Sequence, residues 1–150
     1  MSTIGADARA LLDAELEAAT ALEGLSGVAT APEARTCLDE LHYTMTWFCS
    51  GLEKHASRPT RRSRPAVGVN ALTADRLVAA PTGADRIRLL TQRQRSVLAG
   101  VDGLLGVSLP PEMRAFLEQA HAVLARSIRC CEEAVALLDR KRELRADPAP

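Results

Sequence analysis

The chain has 150 residues, 47% of them apolar and 25% charged, and its 19 basic side chains balance its 19 acidic ones. This length fits a single domain whose core needs no covalent staples, and neutrality excludes a uniformly basic protein. With one Trp, one Tyr and two Phe, the core must be built from Leu, Ala and Val, which favours helix over sheet.

Breakers divide the sequence into four helical stretches. The first is expected over about 6–25 and stops at "SGVATAP"; the second starts at Pro32, a residue suited to a first helical turn, and runs over 32–55. A long connection, 56–83, follows, with room for one short helix in "LTADRLVAA". The third helix is expected over 84–105, and the fourth opens at "PPE" and covers 111–142, before a frayed tail at "DPAP".

Short links make each half an antiparallel hairpin. The long connection can run the length of the molecule and leave the second and third helices parallel; the alternative is a plain loop and simple up-down topology.

On a wheel of about 100° per residue, Glu15 falls at the middle of the first apolar stripe and Gln94 at the middle of the third. The second helix carries "DELH" at 39–42 and the fourth "EQAH" at 118–121, with His42 and His121 at the stripe borders and Asp39 and Glu118 further round. An offset of 79 relates these positions: Glu15 to Gln94, Asp39 to Glu118, His42 to His121, and apolar positions such as Leu38 to Leu117 and Met45 to Leu124. The chain reads as two copies of one helical hairpin.

In this pattern the chain resembles the ferritin-like superfamily, whose di-iron members place a Glu on one helix and Glu-x-x-His on the next, then repeat the set. The resemblance implies an all-α, ferritin-like four-helix bundle with one long crossover. It also implies a metal ligand set of Glu15, Asp39 and His42 with Gln94, Glu118 and His121, holding iron or manganese. Any activity would then be metal-dependent and oxidase-like. The alternative for the core is a hydrogen-bonded Glu15–Gln94 pair without metal.

Other features suggest binding rather than catalysis. Residues 1–53 carry nine acids and two bases, whereas 54–100 carry ten bases and two acids. "KHASRPTRRSR" places Arg58, Arg61, Arg62 and Arg64 on the crossover, suited to an anion or an acidic protein partner; the alternative is a solvated crossover that faces the acidic first helix. No aromatic is interleaved there to stack a base, so sequence-specific nucleic-acid binding is not expected.

Tyr43 and Trp47 lie four apart, off the apolar stripe of the second helix, and are expected either to pack under the crossover or to form a homodimer face. Cys37, Cys49, Cys130 and Cys131 form no CxxC pair and read as reduced core residues. No Gly-rich phosphate loop, GxSxG or Cys/His pattern supplies a catalytic centre. With no apolar run of membrane-spanning length and no basic-then-apolar leader, a cytoplasmic location is expected. Two functions stand against each other: a ferritin-like binding protein with a carboxylate/histidine core, and a metal-free interaction protein.

Overall fold

The computed structural model describes residues 3–25, 28, 30–58 and 72–146. They are helical throughout their regular structure: α1 (Thr3–Glu23), α2 (Pro32–Glu53), α3 (Ala74–Ala79), α4 (Gly83–Leu105) and α5 (Pro111–Ala146).

Local chemistry sets the starts. Pro32 lies in the first turn of α2, where its missing N–H is not needed. Thr73 Oγ1 accepts the Arg76 N–H at the head of α3. At the head of α4, Thr82 Oγ1 accepts the Asp85 N–H at 3.1 Å while its hydroxyl donates to the Asp85 carboxylate at 2.9 Å. That hydroxyl, together with Arg88, holds the Asp85 carboxyl below its usual range. The short helix in the connection forms over Ala74–Ala79 and buries Leu77.

α5 continues beyond the expected 142 to Ala146. Its last turns are tied to the heads of two other helices, Lys141 to Glu33 of α2 and Asp139 to Arg88 of α4.

Long-range contacts fix the directions. The Ser57 N–H donates to Gly5 O at 3.1 Å, which brings the end of α2 to the start of α1. Gly83 lies against Ala34, so α4 starts beside the start of α2, where α5 ends. Thus α1 and α5 run one way and α2 and α4 the other. α1 packs on α2 and α4, α5 packs on α4 and α2, and α1 and α5 occupy opposite corners.

The buried apolar residues form two clusters. One gathers Ala18, Leu22, Leu38, Leu41, Met45, Ile87 and Leu90; the other gathers Leu12, Phe48, Leu52, Val97, Val101, Leu117 and Leu124. Glu15 and Gln94 lie between them along α1 and α4, so a polar layer divides the core.

The offset of 79 has a spatial meaning. Gln94 touches Glu15, and Arg93 Nη1 donates to Ala14 O at 2.7 Å. Residues that touch their own counterparts are what a two-fold axis between the hairpins requires.

α2 and α5 approach closely at Gly51. A methyl group there would lie 2.1 Å from a ring carbon of Phe116. Gly51→Ala is therefore expected to destabilise by about 1–2 kcal/mol despite alanine's better helix propensity, because the ring must move. Urea unfolding followed by the fluorescence of Trp47, whose ring centroid is 5.4 Å from that of Phe116, measures it. Unchanged stability would mean that Phe116 swings aside freely.

Candidate functional site

The residues singled out by sequence separate into a core pair and scattered surface groups. Glu15 and Gln94 are both 0% exposed. Gln94 Nε2 donates to Glu15 Oε1 at 2.5 Å. Glu15 Oε2 and Gln94 Oε1 have no hydrogen-bond partner among the described residues.

Burial pushes the Glu15 carboxyl up to about 7, against the downward pull of the Gln94 hydrogen bond and the Arg93 charge. Its negative charge in turn helps burial push the Cys49 thiol up to about 12. Arg93 is anchored on α1 by Ala14 O and by Glu17 at 3.0 Å. Glu17 also accepts the Leu72 N–H at 2.6 Å, which fastens the returning connection to α1.

The histidines do not enter this layer. His42 Nε2 lies 3.1 Å from Glu23 Oε1, and His121 Nε2 lies 2.7 Å from Asp102 Oδ1, with both ring pairs substantially exposed. The same offset of 79 relates Glu23 to Asp102, so each histidine meets an acid on the preceding helix of its own hairpin. Asp39 is exposed. Glu118 is exposed and lies 3.9 Å from Arg114 of its own helix.

The ligand set implied by the resemblance therefore does not fit a resident iron or manganese ion. Only Glu15 and Gln94 meet, and one of them is a neutral amide. Among the described residues no group of three or more His, Cys, Asp or Glu side chains is placed to hold a metal. The physical reason is rotational: Asp39 and Glu118 sit on the solvent side of α2 and α5, and the border histidines turn outward to acids.

The two aromatics of α2 also part company. Tyr43 is 75% exposed. Trp47 is half-buried, stacked at a 40° tilt on Phe116, so it belongs to the molecule's own packing. Arg58 is exposed, whereas Arg61, Arg62 and Arg64 lie outside the described residues.

Tyr43 stands at a groove of about 790 Å³ between the end of α1 and the first half of α2. Leu22, Leu25, Val28 and Leu38 supply its apolar floor, and Glu23, Asp39 and His42 stand with Arg35 along it. Reading α2 alone misses this groove, because half of its wall comes from α1 and from the turn after it. No helix among the described residues is long and apolar enough to cross a membrane. No protein-family model, curated protein or solved structure matches this chain.

Proposed function

We propose that this chain is a metal-free interaction protein with a ferritin-like arrangement of helices, and that it holds a protein partner on the groove beside Tyr43. Helix directions and the 79-residue repeat support the ferritin-like reading. The observation that carries the function is the exposed Tyr43 over an apolar floor, because a large aromatic at a groove is the side-chain type that dominates binding energies at interfaces.

Charge specifies the partner further. Glu23 and Asp39 stand on the groove, and residues 1–53 have seven more acids than bases, nine against two. The complementary ligand is a segment with an apolar anchor flanked by Lys or Arg.

Selection from a peptide library tests this. The wild type is expected to enrich apolar-basic sequences, and Tyr43→Ala or Asp39→Lys to weaken a selected peptide by roughly tenfold or more. Raising salt is expected to weaken binding of the same peptide, since exposed charges are screened. Equal affinity in all three proteins would overturn the groove as the site. Stoichiometric iron or manganese, lost in Glu15→Ala, would instead return the metal reading.

A further inference from the structure

Outside the polar layer and the groove, one cluster of reactive groups stands out. Cys37 of α2 and Cys131 of α5 bring their sulfurs to 3.6 Å, across 94 residues of sequence. Both are free thiols and buried, at 8% and 2% exposure, while the neighbouring Cys130 is exposed.

The internal repeat explains why they meet. The offset of 79 relates Cys37 to Phe116, and Gly51 and Leu52 to Cys130 and Cys131. Phe116 lies against Gly51 at one crossing of α2 with α5, and the corresponding crossing sets Cys37 against Cys131, one residue beyond the counterpart of Gly51. Where one crossing holds a ring, the other holds two thiols in van der Waals contact.

We propose that Cys37 and Cys131 are a redox-active pair, oxidised by hydrogen peroxide to a disulfide that locks α2 to α5. A disulfide needs the sulfurs about 2.0 Å apart, an approach of roughly 1.5 Å that side-chain rotation about χ1 supplies at neighbouring helices. The hydrogen bond from Cys37 to Cys131 favours the Cys131 thiolate and pushes the Cys37 thiol up.

The chemistry balances in two steps. The Cys131 thiolate attacks one peroxide oxygen, the O–O bond breaks, and the departing hydroxide takes a proton to become water; Cys131 is left as a sulfenic acid. The Cys37 sulfur then attacks the Cys131 sulfur, the S–O bond breaks, and the released hydroxide and the Cys37 proton leave as a second water. Two thiols lose two electrons in total, and the peroxide gains them. Cys130 is the wrong partner for this bond, since it faces solvent one residue away.

The full chain is treated with hydrogen peroxide, and thiols are counted in denaturant before and after reduction. The expected count falls from four to two, in a product lighter by two hydrogen atoms. Trypsin should yield one cross-linked species joining residues 36–54 to residues 130–140, with fragment ions placing the bond at Cys37 and Cys131. The midpoint of thermal unfolding should rise by roughly 5–10 °C and return on reduction.

Cys130→Ser should retain the cross-link, and Cys131→Ser should abolish it. A bond through Cys49 or Cys130, oxidation confined to Cys130, or four thiols surviving in folded wild-type protein would each overturn the assignment. The wild-type measurement stands even where a serine variant does not fold.

Discussion

Glu15→Gln is expected to be more stable than the wild type at pH 8 by about 3 kcal/mol, and equally stable near pH 4.5. The Glu15 carboxyl is raised from 4.5 to about 7 by burial. In this interval the folded protein keeps a proton that the unfolded chain releases, so stability is full below pH 4.5 and falls as pH rises through 7. A shift of this size is worth about 3 kcal/mol at ~1.4 kcal/mol per pKa unit.

Glutamine keeps the shape of the side chain, removes the charge, and brings an N–H group to the layer in which Gln94 Oε1 lacks a donor among the described residues. Glu33 and Asp85 are shifted the opposite way, by Lys141 and by Thr82 respectively. Both residues are common to the two proteins, so the difference between wild type and variant isolates Glu15. Urea unfolding at pH 4.5, 6 and 8 gives the result. Parallel stability curves for the two proteins would show that Glu15 is not held proton-bound in the core.

Phe48→Ala should cost about 4 kcal/mol and lower the thermal midpoint by roughly 10 °C. Phe48 is 0% exposed, lies in the second apolar cluster, and has its ring centroid 6.0 Å from that of Phe116. Removing it leaves a cavity against a ring that Gly51 already confines, which limits how far the site can collapse. Tyr43→Ala, five residues earlier on the same helix, should change stability by less than about 0.5 kcal/mol because its side chain faces solvent. The contrast makes Tyr43→Ala a clean binding variant. A loss below about 1 kcal/mol in Phe48→Ala would mean that the second cluster repacks freely.

The long helices were legible because their ends carry local signals: Pro32 and the Pro110–Pro111 pair act within one turn of chain. Glu15 and Gln94 were legible as core residues because each lies in the middle of an apolar stripe, where rotation leaves no route to water. Border positions carried no such constraint. His42 and His121 can turn either way, and the acids that draw them outward, Glu23 and Asp102, stand on neighbouring helices.

The packing of Trp47 depends on a distant partner for a similar reason. It lies off the α2 stripe, but Phe116 of α5 reaches it over the space at Gly51. The tie of Lys141 on α5 to Glu33 on α2 and the meeting of Cys37 with Cys131 likewise rest on partners 108 and 94 residues away.

The contact of Glu15 with Gln94, its counterpart 79 residues on, has a logical consequence for the central layer. In a symmetric pair of identical hairpins, the position held here by Glu15 would face its own copy, so acid would meet acid or amide would meet amide. Two acids so close repel unless a proton or cation intervenes, and two amides hold no ionisable group. A single chain carrying both hairpins escapes that restriction. It sets one acid against one amide in the centre of its core, a heterogeneous pairing that exact symmetry forbids, and so keeps one proton-binding group there.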